Sequence, residues 1–442
     1  MSFYKTSSRY YLNGIDWVMA ALNRSNENQT GVGNHSQLVL VLEGYLDYIS
    51  LSDRLSTLLS NSVFLKGKTK RAWHLAPYWF IEQQNFSPED MNFFQLESND
   101  NKELDKLVHK LAQTPFKDKR TLLAFNLIHF NEHSYLIMKF DHKMFDARGA
   151  EALLQYILDI ENTEGNYALP VQGPQLNLWK SKFLSGQVIN RFLRKTYYNK
   201  IKVASFKQVN DHNATLPKAN MHSFFQTTFS KDQTNSIDTD TVKKAGYLMN
   251  GIYILSYVAK AFDALFKVHN NTGNMLIPIN VDIRETKFSK NKIFFNNVSF
   301  MLFNADRDLS VTDYINKLKI QFIDQVKNKI PYHFINAALL LRILPLKILS
   351  SFMEFRMRKN SLSFSFSYIS EQAFFLKQIE NHNVINLYHI PLVPVSPGVG
   401  VFFTRFNNKL NMIISCSGNK LAATDGEYLQ DKIISGMLDG KK

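Results

Sequence analysis

The sequence predicts a mixed α/β (α+β) protein built as two lobes. Short β-rich runs alternate with stretches of helical periodicity along most of the chain, the pattern of sheets covered by helices. At 442 residues the chain is long for a single core, since a domain commonly holds roughly 100–200 residues. The alternation breaks down once, from Gly165 to Lys218, where Pro170, Gly173, Pro174, Gly186 and Pro217 punctuate the chain. That break separates an N-terminal lobe, residues 1–165, from a crossover, 166–218, and a C-terminal lobe, 219–442.

In the first lobe, Ile15, Val18, Met19 and Leu22 fall on one helical face, and Asn13 stands where a cap belongs. Gln37 to Leu46 reads as an apolar strand and Leu51 to Leu59 as a helix. Aromatic residues and Pro77 follow, with His74 expected to pack beside Trp73 rather than do chemistry. Leu122–Phe130 and Ser134–Phe140 flank the polar Asn131-Glu132-His133 and read as a hairpin; Leu136, Met138 and Phe140 alternate with period two. Next, Ala152, Leu153, Leu154, Tyr156, Ile157 and Ile160 repeat at helical spacing. His142 therefore stands where a central strand ends and the chain turns towards a helix.

The crossover carries an internal helix around Ser185 to Tyr198. The second lobe opens with a strand, His222 to Phe229, and an apolar helix, Ala245 to Phe266. Asn250, Ser256 and Lys260 interrupt that helix, which favours a core helix over a membrane span. "MLIPINVDIRET" and "NNVSFMLFNA" read as strands. Leu339 to Met357 is apolar and basic, with Arg342, Lys347, Arg356 and then Arg358. It fits a membrane surface or a core segment broken by Pro345, and the core is favoured. Ser361 to Ser370 alternates as a half-buried strand, with Ser361, Ser363, Ser365 and Ser367 on one face expected to meet water. A hairpin turning at Asn407-Asn408 and a closing helix, Asp425 to Leu438, end the chain.

Composition narrows the function. No apolar run approaches the roughly 20 residues of a membrane-spanning helix, and the first residues lack the apolar core of a signal peptide. The single cysteine, Cys416, excludes an internal disulfide and a Cys-based zinc site. It reads as a small apolar strand residue. A cytoplasmic protein follows, with peripheral contact at the inner membrane surface left open by the basic, apolar stretch. The net charge is +14, and Asn166 to Asn210 holds eight Lys or Arg and no Asp or Glu. That segment is either a solvated linker or an attractor for an anionic partner. Zinc-finger spacing, RNP-like motifs and a helix-turn-helix are absent from the sequence, which argues against nucleic acid.

Of the twelve histidines, only His142 has Asp four residues on. An imidazole near neutral pKa can take a proton from an alcohol, amine or thiol as it attacks an acyl carbonyl. Asp146, past the turn, shapes the loop. "KFDHKMFDARGAEALLQYI" resembles the His-His-x-x-x-Asp-Gly segment of the CoA-dependent acyltransferase superfamily. Chloramphenicol acetyltransferase, peptide-synthetase condensation domains and wax ester synthase/diacylglycerol acyltransferases belong to it. The catalytic His falls on His142 and the Asp on Asp146. Asp141 replaces the first His, Ala147 replaces the Gly, and Gly149 follows two places later. Asp141 would favour a protonated imidazole beside it, and Ala147 denies the loop an unrestricted φ.

The resemblance implies two chloramphenicol-acetyltransferase-like lobes with an active-site tunnel between them and His142 at its midpoint. An acyl thioester, on CoA or an acyl carrier protein, would enter from one side and a small-molecule or lipid acceptor from the other. His142 would be the general base, with no bound cofactor, metal or acyl-enzyme. Arg284 is implied as the salt-bridge partner of Asp146, Ser365 as an oxyanion donor, and Asn297 as a cleft residue or a bulge amide. A non-catalytic condensation-like protein binding a carrier protein or lipid is the alternative. A Ser-His hydrolase is disfavoured because no Gly-x-Ser-x-Gly elbow occurs.

Overall fold

The computed structural model describes residues 9–59, 67–81, 91–118, 120–161, 179–196, 202–206, 222–284, 296–359, 362–370, 373–417 and 420–439. Ser361 and, in the crossover, Pro170, Gly173, Pro174 and Pro217 lie outside them. The first elements are β1 (Arg9–Tyr11), α1 (Gly14–Thr30), β2 (His35–Glu43), α2 (Tyr48–Leu59), β3 (Gly67–Arg71) and β4 (Pro77–Ile81). Next come β5 (Met91–Gln95), α3 (Asn101–Gln113), β6 (Leu123–Phe130), β7 (His133–Asp141), α4 (Ala147–Leu158) and α5 (Trp179–Thr196). The second half begins with β8 (His222–Phe229), α6 (Lys231–Lys244), α7 (Asn250–Val268), β9 (Met275–Asp282), β10 (Val298–Ala305) and α8 (Val311–Lys327). Then follow α9 (Ile330–Leu341), α10 (Leu346–Lys359), β11 (Ser365–Ile369), β12 (Gln378–Ile379), β13 (His382–Pro391), β14 (Val399–Phe406), β15 (Lys409–Ser417) and α11 (Ala423–Asp439).

Local chemistry sets many of these boundaries. Asn13 caps α1 in a capping box with Asp16. Asn131 and Glu132, at φ 47° and 61°, turn β6 into β7, and Asn407 and Asn408, at 47° and 58°, turn β14 into β15. Asn tolerates the left-handed backbone that such two-residue turns demand.

Among the described residues, two sheets of six strands form the lobes. One runs β12-β13-β2-β7-β6-β5 and the other β10-β9-β11-β14-β15-β8. β7 lies in the middle of the first, antiparallel to both β2 and β6. Its period-two side chains divide between two cores. Leu136, Met138 and Phe140 meet Leu153, Leu154 and Ile157 of α4, and Ile137 meets Leu104 and Val108 of α3. The second core also takes Phe224 and Ile413 from the other sheet, so the lobes share apolar contact.

The lobes are not contiguous in sequence, which corrects the division at residue 219. β12 and β13 return to the N-terminal sheet, and β13 pairs along β2. Ala245 to Phe266 is not one helix either. α7 begins at Asn250, after a turn in which Gly246 and Leu248 take φ 101° and 61°. α6, which the apolar pattern missed, buries Thr234, Ile237, Asp240 and Thr241; with one apolar residue among four, it carries almost no hydrophobic period.

Leu339 to Met357 is split between α9 and α10 at Pro345. Arg342 is buried and donates to the Leu12 carbonyl at 3.0 Å, while Ile348, Phe352 and Phe355 stay exposed. Among the described residues no helix is long and apolar enough to cross a membrane. Cys416 is buried in β15, and His74 packs against Trp73 with ring centroids 5.3 Å apart.

Candidate active site

The loop from β7 to α4 carries His142, and contacts from both lobes fix it. Asp146 is the N-cap of α4 and accepts from the Gly149 N–H at 2.8 Å. Its carboxylate also takes Arg284 Nη2 on both oxygens, at 2.7 and 2.6 Å, and the Asn297 N–H at 2.8 Å. Both charged side chains are almost fully buried. Arg284 continues to Asp282 at 3.0 Å, and Asp282 pairs with Arg148 back on α4. Asn297 acts here through its backbone, whereas the Asn296 side chain donates to the His142 carbonyl at 2.8 Å. The His142 N–H donates to the Asn34 carbonyl at 3.1 Å.

Two expectations about the altered motif change. Ala147 is the first residue of α4, where an ordinary helical backbone is required and a glycine's freedom is not. Asp141 turns to the opposite face, as neighbouring strand residues do. It accepts from the Lys143 N–H and pairs with Lys143 Nζ, each at 2.9 Å. There it lines a separate cavity of about 470 Å³ with Arg24, Glu27 and His35. Burial lowers the His142 pKa from its ordinary value, and this outweighs the upward pull of Asp146, of its own carbonyl and of Asp141. Burial therefore favours the neutral imidazole over the protonated one.

His142 borders a cavity of about 270 Å³ between the lobes. Ser36 and His389 line it from the N-terminal sheet, and Asn280, Ser367 and Thr404 from the C-terminal sheet. Its Nδ1 is buried without a hydrogen bond among the described residues, which leaves Nε2 as the nitrogen open to the cavity. Ser365 does not line this space; Ser367, two residues on along the same face, does. Nor does the serine face meet water throughout. Ser363 is buried, its Oγ donating to the Ala204 carbonyl at 2.6 Å and accepting from the Leu276 N–H at 3.0 Å.

The sequence reading missed His389. Its Nε2 lies 2.8 Å from Glu151 Oε1, and both side chains are buried. Glu151 Oε2 accepts from the Ala373 N–H at 2.7 Å. The available signal was Glu151 itself, an acid that with Gln155 interrupts the apolar run of α4. Among the described residues no cluster of His, Cys, Asp or Glu could hold a metal ion.

A base must be unprotonated, so activity falls as pH drops through its pKa. Because the His142 pKa is lowered, the acid limb of kcat/KM is expected below the ordinary imidazole value of about 6.5. A pH–rate profile of acyl transfer checks this, and a midpoint above that value would mean that carboxylate attraction, not burial, dominates.

The two-lobed fold with a cavity between the sheets is shared with solved condensation domains and acyltransferases. The first condensation domain of the calcium-dependent antibiotic synthetase, in complex with a substrate analogue, shares it at TM-score 0.69 and 10% identity, over 98% of this chain and 96% of that one. Trichothecene 15-O-acetyltransferase from Fusarium sporotrichioides does so at 0.68 and 11%, over 97% and 94%. The wax ester synthase/diacylglycerol acyltransferase from Marinobacter aquaeolei VT8 gives 0.60 and 12%, over 98% and 99%. No family model and no curated protein matches the sequence.

Proposed function

We propose that the protein is an acyltransferase that moves an acyl group from a CoA or carrier-protein thioester to an alcohol or amine, with His142 as general base. The observation that carries this is an imidazole at the wall of the interlobe cavity, in a loop clamped by the buried Asp146–Arg284 pair. The fold likeness to a condensation domain, an O-acetyltransferase and a wax ester synthase supports it.

The acceptor O–H or N–H gives its proton to His142 Nε2 as the heteroatom attacks the thioester carbonyl. The oxyanion of the tetrahedral intermediate takes a hydrogen bond from Ser367, which borders the cavity from β11. Collapse of that intermediate breaks the C–S bond, and the departing thiolate takes the proton back from the imidazolium. Proton and electron pairs balance without an acyl-enzyme. Mass spectrometry of acylated products across a panel of alcohols and amines tests the reading. Released thiol without any acylated acceptor would point instead to hydrolysis, and no turnover at all to a binding protein.

The basic segment enters through its charge. Arg191, Arg194 and Lys195 are exposed on α5. α5 packs against α9 and β10, and none of its residues lines the His142 cavity. Exposed charges outside the cavity act on encounter, and salt screens them over about 8–10 Å. Reversing all three to Glu is expected to slow capture of an anionic donor by roughly tenfold at low salt and to leave the chemical step unchanged. Stopped-flow binding of acyl-CoA across a salt series checks this; wild-type capture at low salt returns the segment to a solvated linker.

A further inference from the structure

The N-terminal cap of α1 reaches the His142 loop through one residue of the C-terminal lobe. Asn13 Nδ2 donates to the Asn296 carbonyl at 2.9 Å, and Asn296 Nδ2 donates in turn to the His142 carbonyl at 2.8 Å. Asn13 is held by Asp16. The Asn13 N–H donates to Asp16 Oδ2 at 2.7 Å, and the Asp16 N–H to Asn13 Oδ1 at 2.8 Å. An aspartate is rarely buried outright, yet Asp16 is only 2% exposed. Its Oδ1 and Asn296 Oδ1 are both buried without a hydrogen bond among the described residues. Beside it, α9 and β10 press Ile335, Ala338, Val298 and Phe300 against Ile15 and Met19 of α1, all apolar. The charged groups facing Asp16 are Asp146, from the loop before α4, and Arg342, the C-cap of α9, which Arg71 approaches in turn. Burial raises the Asp16 pKa to about 7; the Asn13 N–H, Asn296 and Arg342 pull it down, while Asp146 pushes it up. An amide here would complete the capping box without burying a carboxyl, so the acid has a use beyond the cap.

We infer that Asp16 is a positioning residue for the His142 loop, acting through Asn13 and Asn296, and that it serves the loop as the neutral acid. The inference rests on the acyl-transfer reading and adds a control on its base. With Asp16 neutral, the Asp146 carboxylate is the charge that Arg284 balances, and the Asn296 amide stays on the His142 carbonyl. Ionised Asp16 disturbs both. It sets a second buried negative charge facing Asp146. As an anion it is also a stronger acceptor than a carbonyl, so it competes with His142 for Asn296 Nδ2. A carboxyl raised in the folded state is no burden below its ordinary value of about 4. It destabilises the fold increasingly as pH climbs to about 7. The positioned loop is therefore lost on the alkaline side, whereas protonation of His142 removes the base on the acid side.

The test compares pH profiles of kcat/KM for wild type, Asp16→Asn and Asp16→Ala. Wild type is expected to show an alkaline limb centred near pH 7. Asp16→Asn is neutral and can still accept from the Asn13 N–H. It should lose that limb and, on the acid side, turn over within about threefold of wild type, less than one hydrogen bond is worth. Asp16→Ala should lower kcat roughly tenfold or more at every pH, with KM little changed, because the reacting group is misplaced. Asp16→Ser serves if Asp16→Asn does not fold. An alkaline limb that persists in the neutral variant overturns the inference, as does Asn failing as badly as Ala. The His142 Cε1–H resonance, assigned by its absence from His142→Ala, supplies a readout that needs no turnover. It should shift a second time near pH 7 in wild type and not in Asp16→Asn. That shift without any acylated product sinks acyl transfer and leaves the positioning role standing. Product with no second shift, or with the same shift in Asp16→Asn, does the reverse.

Discussion

His142→Ala is expected to leave both lobes folded and to lower acyl transfer by roughly 10²–10⁴-fold, the range for a lost general base. The loop does not depend on the imidazole for its shape. The His142 N–H bonds the Asn34 carbonyl, and its carbonyl accepts from Asn296, so both contacts survive in alanine. The helix cap and the ion pair belong to Asp146. What disappears is the one ring nitrogen that the loop presents to the cavity. The measurement is single-turnover formation of acylated product, with unfolding followed in parallel. His389 supplies an internal control, since it borders the same cavity on its own carboxylate partner, Glu151. His389→Gln should reduce the rate far less than His142→Ala. Should the order be reversed, the base is His389 and the role given to His142 is wrong.

The parts of this site that were legible in the sequence are those that local rules govern. The β6–β7 hairpin announces itself through alternating apolar residues and a turn asparagine, and it delivers His142 to a strand end. Asn13 and the Asn407-Asn408 turn follow from backbone chemistry in the same way. What stayed hidden depends on which strands and faces meet. Nothing local to His382–Pro391 says that it pairs with β2 from the other half of the chain, so His389 could not be put beside His142. The period-two pattern of β11 puts Ser365 and Ser367 on one face. Which of them reaches the cavity depends on where β11 separates from β9. Asp141 was judged by its distance in sequence from His142, but strand alternation turns it away and Lys143 balances its charge. Arg284 came from the resemblance alone, since its 138-residue separation from Asp146 leaves no local trace.

Arg284→Ala and Asp146→Asn are each expected to cripple activity, and the pair together to cost much less than the sum. Asp146 belongs to the N-terminal lobe's loop and Arg284 to the C-terminal lobe, so their ion pair ties the lobes together at the site. Among the described residues, removing Arg284 leaves the buried carboxylate with the Gly149 and Asn297 N–H groups as donors. Breaking one side of a buried pair typically costs about 3–5 kcal/mol, mostly because the remaining charge is stranded. Asp146→Asn strands the guanidinium in turn, although Asp282 still holds Arg284 at 3.0 Å, so this variant should be the milder. In the double variant no charge is stranded, and a coupling of about 0.5–3 kcal/mol is expected. The cycle should be read both in urea unfolding and in kcat/KM. A pair that only staples the fold would show coupling in stability while the folded variants turned over normally. Loss of turnover in variants that remain folded assigns the pair to holding His142 against the cavity. Simple additivity in both measurements would falsify the interaction.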